Sequence, residues 1–227
     1  MRRALGYAFF RTIPVMCGYL FLGAAYGLLM QQAGYGWGWS ALTSLVVYAG
    51  SMQFVLAGML SSGGGLAAAA VTALLVNGRH IFYGLSFIQR FREQGRVRGA
   101  YMVSSLTDET YSLLVTGHPQ DVDSRLADFL IALLDQFYWV AGSALGGMLG
   151  QAVAFDLTGI DFSMTALFVV ILVEQVRARE NRWGALMGFL VASAALLLLG
   201  QDRFLLPAMG LIVALTLVSP WKGGAKV

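Results

Sequence analysis

The stretch NGRHIFYGLSF, residues 77–87, sets Asn77, Arg79 and His80 inside a run built mostly of Leu, Ala, Val, Ile, Phe and Gly. A guanidinium in such a run can bind a carboxylate, an imidazole can tune or pass a proton, and an amide can hydrogen-bond either partner. A second polar intrusion follows at Asp108 and Glu109 in YMVSSLTDETYSLLVTG, residues 101–117. Adjacent carboxylates in apolar surroundings can pair with a cation, receive an ammonium group or carry a proton. Helical spacing sets Asn77 and His80 on one face, Arg79 and Tyr83 on the next, and Ser104, Asp108 and Ser112 on one stripe. Pairing Arg79 with Asp108 or Glu109 would offset part of the cost of burying both. Plainer alternatives stay open. Arg79 also reads as snorkelling to an interface, His80 as a satisfied packing residue, and the acidic pair as a structural ion pair or a surface-lying segment.

The elements that must position these residues follow from composition. Hydrophobic residues make up 58% of the chain and charged ones only 12%, too little polar surface to cover a soluble globule of 227 residues. Mean hydropathy is +0.69. Eight apolar segments can be counted, at 12–30, 41–60, 66–88, 100–116, 129–155, 162–176, 184–199 and 205–219. At about 1.5 Å rise per residue, windows of this kind approach the span of a hydrocarbon core of about 30 Å. They do not alternate in polarity as barrel strands would. The expected fold is therefore all-α, a polytopic transmembrane helix bundle forming one integral membrane domain over residues 1–227. The first run reads as a retained helix rather than a cleaved leader.

Short loops rich in Lys and Arg stay preferentially in the cytoplasm. Arg2, Arg3 and Arg11 place the N-terminus inside, and Lys222 and Lys226 place the C-terminus there too. The loop with Arg177, Arg179 and Arg182 also reads as cytoplasmic, and that with Asp156 and Asp161 as external. Residues 89–99 conflict with this scheme, because their four arginines against one glutamate would lie outside after three full crossings. Either this loop breaks the rule, or one of the first three segments enters the membrane and returns, with a second such segment elsewhere keeping the total even. Discontinuous or re-entrant helices are the adopted reading. The candidate breaks are Ala49-Gly50-Ser51, with Tyr48 and Gln53 beside them, and Asn77-Gly78, since glycine costs a helix interior about 1 kcal/mol relative to alanine.

The remaining features are structural in character. Asp135-Gln136 and Glu174-Gln175 read as interfacial or packing groups. Gly23 and Gly27, Gly142, Gly146 and Gly150, and Gly184 and Gly188 recur at spacing four, which lets helix backbones approach closely. Trp37 and Trp39 suit an interfacial aromatic belt. Cys17 is the lone cysteine, so no internal disulfide is possible, and no metal site or cofactor is expected. The net charge of +3 requires no nucleic-acid partner, because the basic residues flank the apolar segments. A zinc helix, a serine elbow and a phosphate loop are all missing, which argues against an enzyme. A carrier is favoured over a passive channel or a non-transporting scaffold: helix ends and buried charges of this kind suit a zwitterion.

YAGSMQFVLAGML (48–60), NGRHIFYGLSF (77–87) and LTDETYSLL (106–114), in this order after a short cationic N-terminus, resemble the AzlC family, the large subunits of branched-chain amino acid exporters. The resemblance implies a bacterial inner-membrane protein exporting valine, leucine, isoleucine and sometimes methionine. It also implies a small hydrophobic AzlD-type membrane subunit as partner. Family patterns often carry Leu where this chain has Gly78. Site residues are not carried over from the family. Those proposed from the residues themselves are Asn77, Arg79, His80, Asp108 and Glu109 for substrate or coupling, with Tyr48, Gly50, Ser51, Gln53, Gly78 and Tyr83 as pocket or helix-break positions.

Overall fold

The computed structural model describes residues 2–152, 169, 172–173, 176–177, 182–200 and 204–218. Segment 162–176 is outside these apart from isolated positions, and Asp156, Asp161, Glu174, Gln175, Lys222 and Lys226 lie outside them. Among the described residues every regular element is a helix and no strand occurs. The chain divides into two compact units, Met1–Ile160 and Asp161–Val227.

The first unit contains α1 (Arg2–Gln32), α2 (Trp37–Val46), α3 (Gly50–Ser62), α4 (Leu66–Ser86), α5 (Ile88–Arg92), α6 (Arg96–Ser104), α7 (Asp108–Val115) and α8 (Ser124–Ala152). The second contains α9 (Arg182–Leu199) and α10 (Leu205–Val218), which pack on one another. By length and composition α1, α8 and α9 can each cross a membrane, while the apolar stretch of α4, Leu66–Gly78, is shorter. The eight apolar segments of the sequence thus do not each become one spanning helix.

The frame of the first unit is the parallel pair α1 and α8. A Cβ on Gly23 would lie 2.8 Å from the Trp139 carbonyl oxygen, and one on Gly142 would lie 2.8 Å from that of Leu20. Gly27 and Gly146 are closer still to the facing backbones of Ser143 and Ala24. Only glycine permits this approach, as the spacing of the small residues predicts. The same spacing in α9 does not have this use at Gly188, where a Cβ would meet nothing within 4 Å.

Two broken helices are laid against this pair. Gly147 lies beside Trp37, where a Cβ would be 2.7 Å from the Trp37 Cα, and Ser44 donates to Ser143 at 2.8 Å, so α2 runs antiparallel to α8. It ends at Tyr48, whose φ of +41° is left-handed. Beyond this turn Gly50 faces the Trp139 indole, from which a Cβ on it would lie 3.1 Å, and Phe54 reaches Tyr26, with ring centroids 5.9 Å apart. Gln53 donates to Ser44 at 3.0 Å across nine residues of sequence. In a continuous helix those positions would be about 13 Å apart along the axis. Hence α2 and α3 form a hairpin that enters beside the C-terminal end of α1, turns at 47–49 and goes back. The expected weak point at Ala49-Gly50-Ser51 is where the chain turns.

α4 then runs to the other end, where Phe87 and Phe91 share a buried cluster with Ala8. It continues as helix through Asn77 and Gly78, so the break expected there does not form. One glycine is a small penalty against the flanking helix-forming residues. The break occurs instead in the fourth apolar segment, at Ser105-Leu106-Thr107 between α6 and α7. Ser104, Asp108 and Ser112 therefore do not share one helical stripe. Thr107 caps α7 by accepting from the Thr110 N–H at 3.3 Å, and Asp108 and Glu109 occupy its first turn. A cap followed by two acids is a helix start, because the carboxylates meet the positive end of the helix dipole. α7 returns to the N-terminal end of α1, where Arg11 bonds Thr116 and Tyr7 donates to the Gly117 carbonyl at 3.3 Å.

The loop at 89–99 accordingly lies at the same end as Arg2 and Arg3. Arg90 grips Asp128 through two bonds of 2.6 Å, and Arg125 bonds Glu93 at 3.0 Å.

Candidate functional site

The tips of the two hairpins meet between α1 and α8, and polar side chains converge there. Tyr19 of α1 donates to Glu109 Oε2 at 2.7 Å and lies 2.7 Å from Thr107 Oγ1. Thr107 contacts Thr110 at 3.1 Å, and Thr110 contacts Asp135 Oδ2 of α8 at 2.8 Å. Two carboxylates from different helices are thereby joined by an unbroken line of hydroxyls. Asp135 and Thr110 are fully buried, and Tyr19 is 5% exposed. Neither Glu109 nor Asp135 forms an ion pair with a described residue. Asp135 Oδ1 has no hydrogen-bond partner among the described residues. Tyr48, at the turn of the other hairpin, is within electrostatic range of Asp135, Glu109 and Tyr101 and approaches the Tyr19 hydroxyl.

A second buried network fixes the α2–α3 turn. Trp139 Nε1 donates to Gln53 Oε1 at 2.9 Å, and the Gln53 amide donates to Ser44. Ser44 donates to Ser143, which donates to the Trp139 carbonyl at 2.8 Å. The ring of bonds closes on itself, so each buried polar atom in it has a partner, which favours one arrangement of the turn.

The candidates named from sequence divide by location. Tyr48 and Glu109 lie at the meeting point of the tips. Gly50 lets the start of α3 lie flat on Trp139, Ser51 is buried in the first turn of α3, and Gln53 belongs to the ring of bonds. Asp108 stands beside Glu109 in the first turn of α7. On α4, Asn77 is half-buried, and His80 lies 6.0 Å from Tyr83 between ring centroids. Tyr83 packs on Tyr111 of α7 at 4.7 Å, which joins α4 to the acidic helix. Gly78 lies in continuous helix, and the side chain of Arg79 is outside the described residues.

Sequence reasoning missed Tyr19, Thr107 and Thr110, and it took Asp135 for a structural residue. The available signal was Asp135 at the centre of LIALLDQFYWV, an acid far from either end of a spanning helix. Tyr19 carries no such signal, since a tyrosine in an apolar helix is unremarkable. Among the described residues no group of three or more His, Cys, Asp and Glu could hold a metal ion.

Comparison with known proteins finds relatives described as membrane or transport proteins. No solved structure matches. The chain is 40% identical to the branched-chain amino acid transport protein AzlC of Bacillus subtilis, over 89% of its own length and 80% of that protein's. It is 38% identical to an uncharacterized membrane protein of Helicobacter pylori strain 26695, over 91% and 90% of the two chains. It is 34% identical to an uncharacterized membrane protein of Haemophilus influenzae, over 91% and 85%. The model of the AzlC protein family matches residues 14–153, which hold both hairpins, α8 and the greater part of α1. On these matches, the chain belongs to the AzlC protein family.

Proposed function

We propose that this protein is a secondary transporter of the bacterial cytoplasmic membrane that exports branched-chain amino acids, valine, leucine and isoleucine, with methionine as a further substrate. The observation that carries this reading is the meeting of two half-helix hairpins, entering from opposite ends, at a buried line of hydroxyls and carboxylates. Non-helical backbone at membrane depth is tolerated where protein or a hydrated cavity satisfies its peptide groups, and such breaks are where carriers bind polar solutes. The similarity to the Bacillus protein supports the substrate class.

In this reading the substrate ammonium meets Glu109 or Asp135, and the start of α3, which has no side-chain cap, offers N–H groups to the carboxylate. Arg79 belongs to the same level. Tyr83 of α4 stacks on Tyr111 of α7, and the two helices run in the same direction, so position 79 is one turn above Tyr83 much as Asp108 is one turn above Tyr111. Arg79 then balances Asp108 or binds the substrate carboxylate, with Asn77 and His80 completing that face. The proton gradient drives export by alternating access, and a small hydrophobic AzlD-type subunit completes the exporter. Both termini and the 89–99 loop are cytoplasmic.

The same pair of hairpins would also suit a passive channel. Tyr19 and Tyr48 at the meeting of the tips are buried, 5% and 4% exposed, and a buried site suits a carrier better than an open pore. Valine efflux from loaded cells distinguishes these readings. Arg79→Ala, Asp108→Ala and Glu109→Ala, at equal membrane abundance, should each lower efflux at least about tenfold, as loss of one charge-assisted bond implies. Unchanged efflux in all three would end the proposal, and flux indifferent to the gradient would favour a channel.

A further inference from the structure

Resting on that transport reading, we infer that Glu109 and Asp135 share a single proton, which passes between them along Tyr19, Thr107 and Thr110. Four contacts join the five groups: Glu109–Tyr19 at 2.7 Å, Tyr19–Thr107 at 2.7 Å, Thr107–Thr110 at 3.1 Å and Thr110–Asp135 at 2.8 Å. Each is of hydrogen-bond length. Each needs one hydrogen, and the intervening hydroxyls of Tyr19, Thr107 and Thr110 supply one apiece. With both carboxyl groups ionised, Tyr19 donates to Glu109, Thr107 to Thr110 and Thr110 to Asp135. The 2.7 Å contact between the Tyr19 and Thr107 oxygens is then left without a hydrogen. One further proton fills it, and a second would have no contact in the line to occupy.

That proton has two equivalent seats. On Glu109, the bonds run from Glu109 to Tyr19, Thr107, Thr110 and finally the Asp135 carboxylate. On Asp135, every bond reverses and the line ends on the Glu109 carboxylate. When each of the four hydrogens crosses its own contact, from Glu109 to Tyr19, Tyr19 to Thr107, Thr107 to Thr110 and Thr110 to Asp135, the first state becomes the second, with no net change in charge and no other reactant. The Thr110 N–H continues to donate to Thr107 Oγ1 in both. The ends of the line belong to different elements, Glu109 to the α6–α7 hairpin and Asp135 to the frame helix α8. Movement of the hairpin against the frame would therefore break the line and leave the proton on one side. Other titratable groups facing the line are Tyr48 from the α2–α3 turn, Tyr101 from α6 and Asp108 beside Glu109.

Infrared spectroscopy of the purified chain in lipid vesicles counts the proton. The wild type should show one exchangeable protonated-carboxyl band that disappears in both Glu109→Gln and Asp135→Asn, because the new amide donates the missing hydrogen itself. A band that survives in either variant, or loses half its intensity in each, would overturn the inference. Thr110→Val cuts the line while keeping both carboxyl groups, and Thr110→Ser restores the hydroxyl. Valine uptake driven by an imposed proton gradient should fall roughly a hundredfold in Thr110→Val and recover in Thr110→Ser. Both variants are compared at equal membrane abundance. Retained gradient-driven uptake in Thr110→Val would also contradict the inference. The infrared count is independent of the solute carried. A single shared proton in a chain that carries no valine would therefore end the substrate reading alone.

Discussion

Asp128 and Asp135 lie two turns apart on α8, both fully buried, and their surroundings differ completely. Asp128 receives two bonds from Arg90 and one from His118 at 2.5 Å, and His118 lies 3.2 Å from the Tyr7 hydroxyl. Arg90 also donates to the Leu114 carbonyl at 3.0 Å, fixing the end of α7. Asp135 has one hydroxyl and no cation among the described residues. The first is built as an anchor, and the second is one end of the proposed proton line. Asp128→Ala removes the buried partner of a part-exposed guanidinium and should cost about 1–3 kcal/mol of stability, read from thermal unfolding in detergent. Asp135→Asn should unfold close to the wild-type temperature while losing gradient-driven uptake. Little of this was legible in sequence. Arg90 and Asp128 are separated by 38 residues, and in the sequence Arg90 is only one of four arginines in a basic loop. Glu109 was legible because a charge inside an apolar run has few harmless explanations.

At the scale of elements, the hairpins depend on two devices that the sequence displays unequally. Glycine spacing announced the contact of α1 and α8, because only that spacing lets two backbones touch over several turns. Gly146→Leu drives a side chain into the Ala24 backbone and should destabilise by about 1–3 kcal/mol or more, whereas Gly188→Ala should be neutral or mildly stabilising. Thermal unfolding of the two variants checks the contrast. The turn of α2 and α3 was visible in Ala49-Gly50-Ser51, but the ring of bonds through Gln53, Ser44, Ser143 and Trp139 spans three elements and leaves no local mark. Gln53→Leu leaves the Trp139 N–H and Ser44 without their partner and should cost about 1–3 kcal/mol by the same measurement. The α6–α7 break was overlooked although its signal, Thr107 followed by Asp108 and Glu109, is that of a helix start. Gly78 was misleading because a single glycine in a membrane helix carries little information about breaks.

For the whole molecule, re-entry by two hairpins explains the charge pattern that eight full crossings could not. With α2–α3 entering and leaving at one end and α6–α7 at the other, residues 89–99 fall at the N-terminal end of α1, and their arginines join Arg2, Arg3 and Arg11. With the N-terminus cytoplasmic, as proposed, the loop that had seemed to violate the positive-inside rule obeys it. The most direct test labels single cysteines in a Cys17→Ser background with a membrane-impermeant maleimide. The sites are Gln32 and Ser62, flanking α2–α3, and Val97 and Asp121, flanking α6–α7. Gln32→Cys and Ser62→Cys should react from one side of the membrane, and Val97→Cys and Asp121→Cys from the other, together with the N-terminus. Gln32 and Ser62 on opposite sides, or Val97 and Asp121 on opposite sides, would contradict the hairpins and with them the site where their tips meet.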